Sequence, residues 1–267
     1  MDKRSPVQLG SLVGLFAGLL TLSGCYAPEP RPQIMGEDQS TAVLPAQKLP
    51  PRYRVAGRSI QGRPIMVQIF GHGPDTTLIM ATIHGNEPAG TPLVEELADY
   101  LRNNPELLEN RQVVLMPLAN PDGLAAGTRE NVRGIDLNRN FRANNRLNNQ
   151  TNGLKPLSEP ESRAVEAVIR QYRPDRIVSI HQPLNCIDYD GPAQALAARM
   201  AQYCDLRVKK LGARPGSLGS YTGEKLNIPT ITVELPKSAS NLDSALLWQR
   251  YGRTLMAAVQ YPQYVSK

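Results

Sequence analysis

From Tyr53 onward, short apolar runs alternate with stretches in which apolar residues recur every three or four positions. The runs IMVQIF (65–70), TLIMATI (77–83), QVVLMPL (112–118), RIVSI (176–180) and TITVEL (230–235) have the length and β-branched content of buried strands. Helical periodicity places helices near 89–103, 158–172, 192–204 and 241–260. Strands that alternate with helices predict an α/β fold: a mixed, mostly parallel twisted central sheet with helices on both faces. No internal repeat is evident.

The pattern upstream is different. Lys3 and Arg4 precede an apolar stretch from Leu12 to Leu22, which is short for a membrane span and has the charge order of an export signal. It closes on Leu22-Ser23-Gly24-Cys25, which resembles the bacterial lipobox, whose cysteine becomes the lipidated first residue of the mature protein. Tyr26 follows, where an aspartate would favour the inner membrane, so the expected location is the outer membrane, facing the periplasm. Residues 26–52 carry Pro28, Pro30, Pro32, Pro45, Pro50 and Pro51 among polar residues, a composition that stays extended and builds no core. The expected organisation is a signal peptide over 1–24, a tether over 25–52 and one folded domain over 53–267.

Composition narrows the function. A chain of 267 residues with 41% hydrophobic residues can bury a generous core. Thirty basic and 24 acidic residues give +6, and removing Asp2, Lys3 and Arg4 with the signal leaves about +5 by the same count. No Lys/Arg block is interleaved with aromatics, so a nucleic-acid partner is not expected, whereas an anionic ligand suits the balance. After export two cysteines remain, Cys186 and Cys204; an oxidising compartment lets them pair, and two separately buried thiols are the alternative.

The chemistry gathers at the ends of the apolar runs. His84 follows LIMATI, Asn120-Pro121-Asp122 follows VVLMPLA, His181 follows RIVSI, and Glu234 lies inside TITVELP. Ligands of open, mostly parallel sheets bind beyond the carboxyl ends of strands, so these positions can converge on one crevice. A hydrolytic zinc site takes three protein ligands, commonly two imidazoles and one carboxylate, and His84, Glu87 and His181 supply that set for one Zn2+ ion. His72, in GHGPD, reads as a turn residue.

The segments GRSIQGRPI (57–65), HGNE (84–87), NPDG (120–123), TR (128–129), GIDLNRNF (134–141), SIH (179–181) and TVEL (232–235) occur together in this order. In them the chain resembles the zinc metallocarboxypeptidases of the carboxypeptidase A superfamily and, in its short loops, the murein tripeptide amidase branch. The resemblance implies that His84, Glu87 and His181 bind zinc and that Asp136 orients His84 from behind. It implies that Glu234 is the general base, that Arg129 stabilises the oxyanion, and that Asn138 and Arg139 grip the free carboxylate of a peptide substrate. Arg133 and Asn140 are as well suited to surface or structural roles.

Two positions depart from the larger relatives. The stretch before Glu234 offers only Tyr221 for their mobile tyrosine, and the position that selects the terminal side chain falls near Leu218, which is uncharged. A terminal diaminopimelate would present an extra ammonium, for which Asp188, Asp190 and Glu224 are the acids within reach. The function implied is a zinc-dependent exopeptidase or amidase hydrolysing an amide next to a carboxylate-bearing residue, in cell-wall peptides such as those with a D-Glu–diaminopimelate bond. The alternatives are an N-acyl amino acid deacylase of the succinylglutamate desuccinylase or aspartoacylase type, which shares HGNE-like and DLNR-like segments, and an inactive peptidoglycan-binding lipoprotein. The segments GRSIQGRPI and NPDG favour the peptidase, and an intact ligand set argues against an inactive protein.

Overall fold

The computed structural model describes residues 50–262. Cys25, the signal segment and nearly all of the tether lie outside the described residues. Eight strands form one sheet: β1 (Arg52–Arg58), β2 (Pro64–Gly71), β3 (Asp75–Ala81), β4 (Arg111–Met116), β5 (Arg176–His181), β6 (Leu184–Asp190), β7 (Arg207–Val208) and β8 (Thr230–Pro236). Their order is β1-β2-β4-β3-β5-β8-β6-β7. The inner four, β4, β3, β5 and β8, run parallel, while β2 and β6 join them antiparallel. The sheet is the mixed, mostly parallel one that the alternation predicts.

Strands β3, β4 and β5 feed both faces, because successive side chains point to opposite sides, whereas β8 gives its apolar residues to one face only. Ile79, Val113, Leu115, Val178, Ile180, Ile231 and Val233 pack under α1 (Gly90–Asn103), α4 (Gln194–Ala201) and α5 (Ser244–Val259). Leu78, Met80, Val114, Met116 and Ile177 pack on the other face with Val165, Val168 and Ile169 of α3 (Pro160–Tyr172). Helix α1 buries Leu93, Val94, Leu97 and Leu101, the spacing of one helical face, and each such side chain contributes about 1.5–3 kcal/mol when fully buried. A further short helix, α2 (Pro121–Ala126), starts on Asn120, whose side chain accepts the Gly123 N–H, and stops at Gly127 in the left-handed conformation.

Several expectations are corrected here. Residues 184–190, where periodicity places no element, form strand β6, whose antiparallel register with β8 sets Cys186, Asp188 and Asp190 opposite Glu234, Thr232 and Thr230. Cys186 and Cys204 are both free thiols: Cys186 is buried within β6, and Cys204 follows α4, so the pairing is not formed. Tyr221 lies in the second core, stacked on Phe141 at 6.0 Å between ring centroids, and Leu218 is buried in the same cluster. Both are buried there, Tyr221 within the short helical stretch Ser220–Lys225 and Leu218 just before it.

Asp190 is also buried, with Oδ1 lacking a hydrogen-bond partner and the carboxylate pressed on Gly219, where a Cβ would collide with it. Burial pushes this carboxyl up from 3.8 to about 6, helped by the charges of Asp188 and Glu224. A raised folded-state pKa means that the folded protein holds the proton more tightly than the unfolded chain, so stability is greatest at acid pH and is lost as pH rises through about 6. Asp190→Asn, which cannot ionise, should therefore be more stable than the wild type at pH 7 by roughly 1–2 kcal/mol. Urea unfolding at several pH values checks this: the advantage should shrink as pH falls from 7 toward 4, and a constant or inverted difference would contradict it.

Candidate metal centre and cleft

The loop after β3 carries the first two donors. Thr82 turns the chain with φ 52°, a left-handed conformation that a β-branched residue rarely adopts. Its hydroxyl bonds that of Thr91 at 2.8 Å, and its carbonyl accepts the Asn120 N–H at 3.0 Å. Gly85 then presses on the backbone of Gly123, where any Cβ would collide. The HGNE and NPDG turns are thus one packed unit, and the glycines permit that approach. Asp122 adds the third segment, accepting from Ser59 Oγ at 2.8 Å, Gln61 N at 2.9 Å and Arg63 Nη1 at 2.6 Å.

His84, Glu87 and His181 meet at this end of the sheet, all buried, with ligand atoms within 4.8 Å of one another. Glu87 sits between the imidazoles: Oε1 lies 2.9 Å from His84 Nδ1, and Oε2 lies 2.9 Å from His181 Nδ1. The other His84 nitrogen, Nε2, hydrogen-bonds Asp136 Oδ1 at 3.1 Å, which fixes the tautomer and turns Nδ1 inward. That Nδ1 is buried and makes no aligned hydrogen bond. Two buried imidazoles converging on one carboxylate are the donor set of a hydrolytic zinc site with one position open.

The surrounding groups hold Glu87 ionised. Burial pushes its carboxyl up, but hydrogen bonds with His181 and His84 outweigh burial and bring it below the usual carboxylate range. Asp136 is displaced the same way: burial opposes ionisation, and His84, Arg129 and Arg139 overcome it. Arg129 donates from Nη1 to Glu87 Oε1 at 3.0 Å and from Nε to Asp136 Oδ2 at 3.2 Å. Gln182, not anticipated from the sequence, donates its backbone N–H to Glu87 Oε2 at 3.1 Å. Its side chain ties Ala89 N to Ser240 Oγ, so it bridges three loops.

Glu234 neighbours His181 in the β5–β8 register and accepts the Leu184 N–H at 3.3 Å. Burial raises its affinity for a proton, only partly offset by His181. It shares with His84, Glu87, His181, Arg129 and Arg139 a cleft of about 480 Å3. Asp188 lines the same cleft; Asp190 does not, and Glu224 is an exposed residue near Gly191. Asn138 lies behind Arg139, its Oδ1 accepting the Leu218 N–H at 2.8 Å. Arg139 is itself largely buried, and burial lowers its pKa together with the charges of Arg129 and Arg214. A second concavity adjoins the first across Glu87, Arg129, Gln182 and Pro183 and runs toward Lys237 and Asn241. Asn140 is structural, donating to Asn152 O and Ser158 Oγ; Arg133 pairs with Glu159 at 3.6 Å on the surface, and His72 is an exposed turn residue.

Comparison with known proteins agrees with this geometry. Residues 46–189 match the profile of the zinc carboxypeptidase family. Murein peptide amidase A of Escherichia coli K12 is 36% identical over 214 residues, covering 72% of this chain and 84% of that protein. The Vibrio campbellii protein of the same name is 31% identical, covering 70% and 80%. The crystal structure of murein-tripeptide amidase from Escherichia coli O157 superposes with a TM-score of 0.63 at 30% identity, covering 81% of this chain and 95% of that one. Carboxypeptidase A from Helicoverpa armigera, at 20% identity and a TM-score of 0.67 over 80% of this chain and 70% of its own, shares the fold. The buried donors at the ends of β3 and β5 are thus found in a chain that belongs to the zinc carboxypeptidase family of hydrolytic enzymes.

Proposed function

We propose that this chain is a zinc-dependent amidase of the bacterial cell envelope. It hydrolyses the amide on the amino side of a carboxylate-bearing terminal residue in peptidoglycan-derived peptides, for example the D-Glu–diaminopimelate bond. The observation that carries this reading is the lining of one cleft by His84, Glu87 and His181 together with Glu234, Arg129 and Arg139. The murein peptide amidases among its relatives support the substrate class.

In this reading His84, Glu87 and His181 hold one zinc ion, with Asp136 and the Gln182 N–H fixing their orientation. When bound, the ion supplies Lewis-acid polarisation of the scissile carbonyl and makes water a better acid. Glu234 takes the proton of the attacking water and returns it to the nitrogen of the leaving amine. Arg129 spends Nε and Nη1 on Asp136 and Glu87, which leaves Nη2 to donate to the developing oxyanion. Arg139 grips the free carboxylate of the leaving residue, a planar fork against a planar acceptor. Asn138, its Oδ1 taken by Leu218, keeps its amide N–H for the same carboxylate, and Asp188 receives an ammonium on the leaving residue.

Anchoring is part of the same proposal. The LSGC segment after a basic and apolar leader supports lipidation of Cys25 and an outer-membrane location, with residues 25–52 as the tether. Among the described residues no helix is long and apolar enough to cross a membrane.

Three outcomes are expected. His84→Ala and His181→Ala should bind far less than one zinc per chain by elemental analysis, whereas Glu234→Gln should keep the metal and lose about 10²–10⁴-fold in kcat on a muropeptide. Full activity of Glu234→Gln would exclude it as the base. Arg139→Ala should lower kcat/KM by roughly 10–100-fold on substrates with a free terminal carboxylate and change little on the amidated analogues, so equal losses on both would remove the clamp. Cys25→Ser should shift the protein out of the membrane fraction or leave it unprocessed; an unlipidated, soluble wild-type mature protein would refute the anchor.

A further inference from the structure

The segment from Leu211 to Gly216 walls the cleft opposite the metal ligands and is pinned at both ends. At one end the Leu211 N–H donates to Asp188 Oδ1 at 2.8 Å. At the other, Gly216 packs on the backbone of Arg139, its carbonyl accepts the Phe141 N–H at 3.0 Å, and its own N–H donates to Asn145 Oδ1 at 3.2 Å. Between these anchors stands Arg214, which lines the cleft. Its guanidinium makes no hydrogen bond or ion pair among the described residues. By contrast, Arg129 in the same cleft is neutralised by Glu87 and Asp136.

The cleft therefore holds two arginines, Arg139 and Arg214, that form no ion pair or hydrogen bond with an acid among the described residues, although the charge of Asp136 bears on the first and that of Asp188 lies near the second. One terminal carboxylate satisfies the first. The second, held near enough for its charge to bear on Arg139, is a cost to an empty or singly charged cleft that a second anion removes. We propose that Arg214 is a specificity residue that binds a second carboxylate, at the end of the side chain of the leaving residue. Asp188 supports it by holding the near end of the wall. The inference rests on the proposed function, since it takes Arg139 as the clamp for the first carboxylate.

Lysine and meso-diaminopimelate differ by this one carboxylate, so two tripeptides, L-Ala-γ-D-Glu-meso-diaminopimelate and L-Ala-γ-D-Glu-L-Lys, form the test with the zinc-loaded enzyme. The wild type should prefer the diaminopimelate peptide. Arg214→Gln should lower kcat/KM for it by about ten- to hundredfold, mostly through KM, while leaving the lysine peptide within about twofold. Arg214→Glu should widen the loss on the first peptide and improve the second, and Arg214→Lys should recover part of the preference as a charge without the fork. Zinc content and melting temperature should stay at the wild-type values in all three. Equal losses on both peptides, or an unchanged preference in Arg214→Gln, would overturn the inference while leaving the proposed function standing. If the wild type cleaves neither peptide, the proposed function fails and this inference with it.

Discussion

The structure at the carboxyl end of the sheet is organised by the charge on Glu87. A carboxylate removed from water costs several kcal/mol unless opposite charge and hydrogen bonds replace its hydration. Here two imidazoles, the Arg129 guanidinium and the Gln182 N–H surround it, and they come from loops far apart in the chain. These partners meet only when β3 and β5 are paired in register and the segment from Arg129 to Asp136 is folded over them. Glu87 and Asp136 are both held ionised, by the two imidazoles and by the guanidinium charges of Arg129 and, for Asp136, Arg139, and the zinc proposed for the site would add positive charge to the same cluster. The metal affinity proposed for the site and the folding of its loops are thus the same electrostatic problem.

A second constraint acts behind the first. Asp122 collects the hydroxyl of Ser59, the N–H of Gln61 and the guanidinium of Arg63, so the turn between β1 and β2 is fastened to α2. Asn120 joins the same α2 terminus to Ile83 O and Glu130 O, one residue from His84 and one from Arg129. Segments outside the cleft therefore carry a geometric load: they set where His84 and Arg129 stand.

The inner sheet was legible because its strands are short apolar runs, with β3, β4 and β5 apolar on both faces. Strands β2, β3, β4, β5 and β8 and helices α1, α3, α4 and α5 all coincide with apolar runs or helical periods, within a few residues at their ends. What periodicity missed has polar sequence. In β6, LNCIDYD buries Cys186, Asp188 and Asp190 because Glu234 and two threonines of β8 lie opposite, a pairing that no local pattern announces. Exposed β1 and two-residue β7 show no alternation, and α2 is too short for a period, although Asn-Pro at its start is a capping signal. The metal donors were legible from residue type and their places after strands. Gln182 was not, since a glutamine acting through its backbone N–H leaves no trace in composition, and Arg214 was not, because only the folded wall brings it to the cleft. Tyr221 is the converse case: residue type and position in the chain suggested substrate contact, and the fold buries it against Phe141.

The two concavities that share Glu87, Arg129, Gln182 and Pro183 leave open space on both sides of the donors. For the proposed reaction, the two halves of a cut substrate would then have separate exits. The acyl half would lie on the side that runs toward Lys237 and Asn241. The amino-acid half would be held by charge on the side of Arg139 and Arg214, so it is the product that would compete with the next substrate.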